Sequence, residues 1–282
     1  MKIINGGEFT GERALCCSTD LKIENAHFHS GESPLKESKN IEIWNSEFAW
    51  KYPLWYCKSV RLTESTLRET ARSGIWYTDD IVVTNSEIEA PKTFRRSSKI
   101  VLNDVRMPNA QESMWNCSEV DLSDVYVCGD YFGMGSSNVT AEYINVDGNY
   151  LFDGGKNITV RNSRLNSKDA FWNCENVIVE NCTIVGEYLG WNSKNVTFIN
   201  CTIESNQGMC YMDGVTLRDC KLVNTDLCFE YCTVDAEINS HVDSVKNPIS
   251  GRIVADSIGE IIHEADKVDI SRTEIIEVNK NV

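Results

Sequence analysis

Long apolar runs are missing from this chain. No stretch approaches the ~18 consecutive apolar residues of a membrane-spanning helix, and residues 1–20 contain no apolar core of the kind a secretory leader carries. Basic residues are scarce, 27 Lys and Arg against 42 Asp and Glu, for a net charge of −15 over 282 residues. That balance argues against a protein built to neutralise phosphates or to lie on anionic lipid, so neither nucleic acid nor a membrane is expected as partner. Proline is limited to 5 residues, and no Pro- or Gly-rich linker interrupts the chain. The 12 cysteines include no CxxC pair and are spread thinly, which fits a reduced cytoplasmic protein better than a disulfide scaffold. Only 4 histidines occur, at His27, His29, His241 and His263. His27 and His29 share a strand face but bring no third ligand, so no metal site is expected. GxGxxG, Walker A, GxSxG and HExxH are all absent, and no cofactor is expected either.

What is present is a repeat. Eight-residue segments align as LKIENAHF from Leu21, IEIWNSEF from Ile41, VRLTESTL from Val60 and IVVTNSEI from Ile81. The series continues from Ile100, Val120, Val139, Ile158, Val177, Val196 and Val215, at spacings of 20, 19, 21, 19, 20 and then 19 five times, with a weaker register at Val234 and Ile253. Each unit opens with strand-type alternation of apolar and polar residues. Asn or Asp follows at the fifth place: Asn25, Asn45, Asn85, Asp104, Asp124, Asn162, Asn181, Asn200 and Asp219. Asn tolerates left-handed backbone and can bond to its own copy one coil away, so the strand is expected to bend there. A small inward residue and an apolar one follow, as with Cys182 and Ile184, and a third apolar stretch precedes the next unit: LWYC at Leu54, IWYT at Ile75, MWNC at Met114, FWNC at Phe171. Three short strands and three turns in ~19 residues describe one coil of a parallel β-solenoid. Helical arrays need longer repeats and a period of 3.6, and a left-handed β-helix needs hexapeptide periodicity; neither is found.

The frame VxIxNCxI with Asn at the bend resembles right-handed parallel β-helices of the pectate-lyase type. The segments GEFTGERAL from Gly7 and KNPISGRIVADSIGEII from Lys246 also resemble an uncharacterised bacterial family of short β-helix proteins with no established activity. The resemblance implies an all-β, right-handed single-stranded parallel β-helix of about twelve coils, with ligands along one strand face. Residues 1–282 then form one domain: a first coil and N-terminal cap over 1–20, regular coils over 21–233, irregular coils and a C-terminal cap over 234–282. Polygalacturonase-type chains carry NTD, DD and GHG motifs on successive coils; here GHG is missing, and the only DD pair, Asp79–Asp80, is expected in a turn. Arg95–Arg96 lies one coil later, placed either to pair with these acids or to hold an acidic sugar.

The column five places before each repeat holds Trp55, Trp76, Arg95, Trp115, Asp153, Trp172 and Trp191, among others. The column one place earlier, including Leu54, Ile75, Phe94, Met114 and Phe171, carries no charge. Adjacent strand columns point to opposite faces, so the charged column is expected outside, setting a tryptophan strip along the solenoid. The opposite phase would make an internal ladder. An outward strip suits an oligo- or polysaccharide, with Trp55, Trp76, Arg95, Trp115, Trp172 and Trp191 as substrate-binding residues, and equally suits a protein interface in a scaffold or homo-oligomer. Glycoside chemistry needs two carboxylates. Asp130 and Asp153, on neighbouring coils, are the first candidate pair, with Glu112, Asp169 and Glu187 nearby. The short, uniform loops weigh against a cleft-building enzyme and toward binding. The cysteine columns 182/201/220 and 57/117/174 read as small buried hydrophobes.

Overall fold

Backbone hydrogen bonding organises the computed structural model, which describes residues 1–279. The chain divides into two compact units, Met1–Asn145 and Val146–Val282. In the first, the strands Lys2–Asn5, Thr19–Glu24, Lys39–Trp44, Lys58–Thr63, Asp79–Ile88, Ser98–Met107, Ser118–Cys128 and Ser137–Glu142 each begin a coil. They pair in parallel and in register, Ile41 opposite Val60 and Ile100 opposite Val120. In the second, Lys156–Arg161, Glu175–Glu180, Lys194–Ile199, Asp213–Leu222, Thr233–Lys246, Ser250–Ile262 and Thr273–Glu277 do the same. The fold is the right-handed parallel β-helix that the repeat implies.

The coil count needs correction. Fifteen turns occur among the described residues, against about twelve read from the sequence. The extra ones lie at the ends, where the spacing leaves its 19-residue frame. Val234 faces Gly251 and His241 faces Ser257, with a register shift between Ile238 and His241. Of the segment expected to cap the C-terminus, 280–282 lie outside the described residues.

Each coil bends where the side chain tolerates left-handed backbone. All nine Asn and Asp residues of the fifth place have φ between 49° and 56° except Asn45, at 46°. Such residues recur at four or five places in the central coils of the first unit, as at Glu64, Ser73, Tyr77 and Asp80, so the coil has more corners than the three expected. The fifth-place asparagines bond to their own copies. Asn25 Nδ2 donates to Asn5 at 2.9 Å and Asn45 to Asn25 at 2.7 Å; Asn181 donates to Asn162 at 3.2 Å and Asn200 to Asn181 at 2.8 Å.

The corners also explain the small inward residues. Beside a corner the ladder is interrupted and a buried N–H needs another acceptor. A hydroxyl on the next coil supplies it. Ser46 Oγ accepts from Ala26 N at 3.1 Å, Ser65 Oγ from Ser46 N at 3.0 Å and Ser86 Oγ from Ser65 N at 3.1 Å. Ser136 and Ser193 do the same for Cys117 and Cys174. Cysteine fills the same columns as a small apolar residue with a weak donor: the Cys57 and Cys174 thiols point to the carbonyls of Leu35 and Phe152 at 3.1 and 3.0 Å. Burial pushes the Cys57, Cys117 and Cys174 thiols up to about 12. The core beneath is a stack of like on like, Ile23, Ile43, Leu62, Val83 and Leu102 in one column and Phe28 against Phe48 at 4.5 Å in another.

Two outcomes are expected. Asn181→Ala removes a donor and an acceptor and places a Cβ-only side chain in left-handed backbone, so it should lower unfolding free energy by ~1–3 kcal/mol. Asn181→Gly should cost less, because glycine takes this conformation without strain; urea unfolding of the pair checks the order. Thiol titration of the native protein should register Cys16, Cys17 and Cys128 quickly, since the other cysteines are buried; a full count should need denaturant.

Candidate functional site

Leu54, Ile75, Phe94, Met114 and Phe171 are fully buried, whereas Trp55, Trp76, Arg95, Trp115, Trp172 and Trp191 are all partly exposed. The tryptophan column therefore runs along the outside of each unit. Its two parts differ in geometry.

In the first unit the rings form a closed stack. Trp55 lies on Trp76 with centroids 5.0 Å apart and planes 6° from parallel. The Arg95 guanidinium then sits 5.1 Å from the Trp76 ring and 4.2 Å from Trp115. Backbone bridges Trp76 to Arg95 and Arg95 to Trp115 set this order. Each indole N–H turns back onto the protein: Trp55 to the Ser73 carbonyl at 2.6 Å, Trp76 to Lys92 at 2.8 Å, Trp115 to Tyr131 at 2.7 Å. The faces that Trp55 and Trp76 turn to one another, and those that Trp76 and Trp115 turn to Arg95, are thus covered. Stacking of this kind contributes stability, but the covered faces offer little to a flat ligand. A sequence can place a tryptophan outside; it does not show which way the ring turns.

Arg95 pairs with Glu112 at 2.9 Å, and Lys92 reaches the same carboxylate at 3.1 Å. Asp80 pairs with Arg61 at 2.8 Å. Arg95 and Asp79–Asp80 thus find ion-pair partners, though not each other. Arg96 lies 6.0 Å from the Tyr77 ring, in a second outer column where Tyr56 stacks on Tyr77 at 4.8 Å. Asp130 donates its N–H to Gln111 at 3.3 Å. On another corner of this unit, Glu64, Asn85, Glu87, Asp104, Arg106 and Tyr126 line an open groove of about 460 Å³. There Arg106 is held by Glu87 at 3.2 Å and lies over the Tyr126 ring at 4.8 Å.

In the second unit the aromatics are splayed. Trp172 and Trp191 stand 6.0 Å apart and 34° from parallel; Tyr211 follows at 4.8 Å and 33°, then Tyr231 at 5.3 Å and 47°. Tyr150 and Tyr188 meet Trp172 and Trp191 edge-on, at 5.7 and 5.6 Å. The Trp172 N–H donates to the Tyr188 carbonyl at 2.7 Å. The two indoles are thus inclined to one another and spaced more widely than Trp55 and Trp76, with Tyr211 next to Trp191. Alongside runs a polar ladder in which Asn192 donates to Asn173 at 2.9 Å and Asn173 to Asp153 at 2.8 Å. Asp153 thus heads an amide ladder rather than standing as an isolated acid.

Asp169 is the buried carboxylate of this cluster. Its residue is 2% exposed, and its Oδ1 has no hydrogen-bond partner. Left-handed backbone at φ 58° directs it, and its N–H donates to the Glu187 carbonyl at 2.8 Å. Burial pushes its carboxyl above the ordinary aspartate range; Glu187 and Asp153 push the same way, while Lys168 and a hydrogen bond from Tyr150 oppose them. Lys168 pairs with Glu187 at 3.1 Å and lies 5.2 Å from the Tyr188 ring. Among many surface acids, Asp169 was legible in sequence only as a neighbour of the loop column.

The sequence pattern of the proteins of unknown function DUF3737 matches residues 2–276. The chain belongs to that family. No curated protein matches it. Among solved structures it is similar to the A-module of mannuronan C-5 epimerase AlgE4 from Azotobacter vinelandii, at 10% identity and TM-score 0.46 over 84% of this chain and 90% of that one. It is also similar to the catalytic domain of a GH87 α-1,3-glucanase, at 10% identity and TM-score 0.36 over 99% of this chain and 64% of that one. A third is PfbA, a surface adhesin of Streptococcus pneumoniae, at 8% identity and TM-score 0.36 over 94% and 85%. At these values the likenesses carry no chemistry over to the DUF3737 chain.

The Asp169 environment has a measurable consequence. A raised carboxyl pKa in the folded state means that its contribution to stability is complete below the ordinary aspartate value of ~3.9 and is lost as pH rises through the folded value. Thermal melts from acid to neutral pH should show Asp169→Asn gaining on the parent protein as pH rises across that window. A constant difference would mean that Asp169 does not titrate differently on folding.

Proposed function

We propose that the second unit binds a saccharide chain on the face carrying Trp172, Trp191 and Tyr211. The splay of these rings is the observation that supports it. A pyranose presents C–H groups that suit the electron-rich face of an aromatic ring, and only rings with uncovered faces can accept them. Trp172 and Trp191, 6.0 Å apart and 34° from parallel, are better disposed for this than Trp55 and Trp76, 5.0 Å apart and 6° from parallel. The Asn192–Asn173–Asp153 ladder supplies amide and carboxylate groups beside the rings for sugar hydroxyls, the usual mixture of apolar platform and few polar contacts. Successive coils repeat this arrangement at about 4.8 Å, so a repeating polymer meets a repeating surface. Binding needs no bond cleavage, and the Asp130 and Asp153 pair is not required for it.

The test is a glycan array followed by titration of the best oligosaccharide with tryptophan fluorescence as readout. Trp191→Ala should weaken binding by roughly tenfold or more, the order of ~1.4 kcal/mol, while Trp55→Ala, in the closed stack, should leave affinity unchanged. Circular dichroism of both variants separates lost binding from lost fold. Absence of binding to any glycan, or equal loss in the two variants, would overturn the proposal.

A further inference from the structure

The outer corner that carries the tryptophan and tyrosine columns begins with two consecutive cysteines. Cys16 occupies the tryptophan column and Cys17 the tyrosine column. In an extended strand neighbouring side chains point apart. Here Cys17 is left-handed at φ 59°, like Tyr56 and Tyr77 at 56°, and the corner turns both side chains outward together. Further along, the same corner brings Trp55 to Tyr56 and Trp76 to Tyr77, edge to face at 6.3 and 6.4 Å. With two small side chains the approach is closer: the sulfurs of Cys16 and Cys17 are 3.3 Å apart. The backbone fixes the pair, Cys16 N–H to the Arg13 carbonyl at 3.1 Å and Cys17 N–H to the Lys36 carbonyl at 2.9 Å. Cys17 is exposed and Cys16 partly so; of the remaining cysteines all but Cys128 are buried.

We propose that Cys16 and Cys17 form a chelating site for trivalent arsenicals. The sulfur separation selects the ligand. A centre bonded to both sulfurs 3.3 Å apart, at the ~2.3 Å typical of metal–thiolate bonds, subtends roughly 90°. Tetrahedral zinc needs a wider angle and further ligands, and no group of three or more His, Cys, Asp or Glu able to hold a metal ion occurs among the described residues. A linear two-coordinate ion needs sulfurs much farther apart. A pyramidal trivalent centre, whose lone pair compresses its bond angles toward a right angle, fits two thiols and no more. Burial, followed by the hydrogen bond to Cys17, pushes the Cys16 thiol up, so it stays neutral at physiological pH. The condensation consumes neutral thiols. An organic arsenoxide and the two S–H groups form two As–S bonds; the arsenic–oxygen bond breaks, and oxygen leaves as water with both protons. Arsenic stays trivalent, and no sulfur is oxidised.

Phenylarsine oxide is the probe. One equivalent added to the reduced native chain should give a single adduct in the native mass spectrum, stable to a monothiol and removed by a dithiol. Cys16→Ser and Cys17→Ser should each lose affinity by roughly 100-fold or more, the chelate advantage of a second tethered thiol. Cys128→Ser should keep the adduct. All three positions lie outside the buried core, and circular dichroism checks their fold. The assignment is overturned if the parent takes no adduct, if the adduct persists in Cys17→Ser, or if zinc at micromolar concentration blocks the arsenical. None of these outcomes depends on the saccharide reading, which concerns residues of the other unit.

Discussion

Parallel coils in register place every residue against its own counterpart one coil away. That single constraint governs the rest. Stacking like on like suits side chains whose copies attract: Phe28 on Phe48, Tyr56 on Tyr77, Asn on Asn, Ser hydroxyl beneath Ser N–H. It is unfavourable for charge, because like charges about 4.8 Å apart repel. In places the sequence answers by setting opposite charges within reach on neighbouring coils. Arg68 lies between Glu47 and Glu89 at 2.6 and 3.0 Å, and Arg161 reaches Glu180 at 3.0 Å. Surface pairs like these contribute little individually. Their service is to remove repulsion that stacking would otherwise impose on a chain with net charge −15.

The same constraint gives the aromatic face its two forms. In the first unit the stack is completed by a guanidinium, and Arg95 continues between Trp76 and Trp115 where the series of indoles would otherwise break. In the second, Trp172, Trp191, Tyr211 and Tyr231 follow one another at 33° to 47° from parallel, with Tyr150 and Tyr188 edge-on to the indoles. The buried Asp169 belongs to that second environment, where Tyr150 binds the carboxyl as well as bracing Trp172.

Much of this was legible in sequence for a physical reason. The inward columns alternate strictly, and a spacing of 19 or 20 residues is visible because each slip would turn the core outward. The asparagine at the fifth place announced the bend, since few residues accept left-handed backbone. Charge in the Trp column and none in the Leu54–Ile75–Phe94 column gave the phase. Other features are set by rotations and local lengths that a one-dimensional pattern does not carry. Whether Trp55 shows its face or its edge is a side-chain torsion. The shorter coil from Val234 to Gly251 obscured the terminal turns. Asp169 has the same letter as many exposed acids, and only packing distinguishes it.

The amide ladders carry one more property. In these rungs Nδ2 donates to the coil before it: Asn181 to Asn162, Asn176 to Asn157, Asn192 to Asn173. Such a ladder has a direction, and its first member needs only to accept. Aspartate holds that place at Asp20, Asp147 and Asp153, receiving Asn40, Asn166 and Asn173. A carboxylate can open a ladder but cannot continue one, having no proton to pass on. Asp219, next in line after Asn200, therefore ends one run and accepts from Asn239 to open another. The distribution of Asn and Asp is thus a syntax: one letter extends, the other marks a beginning, and the chain is read in only one sense.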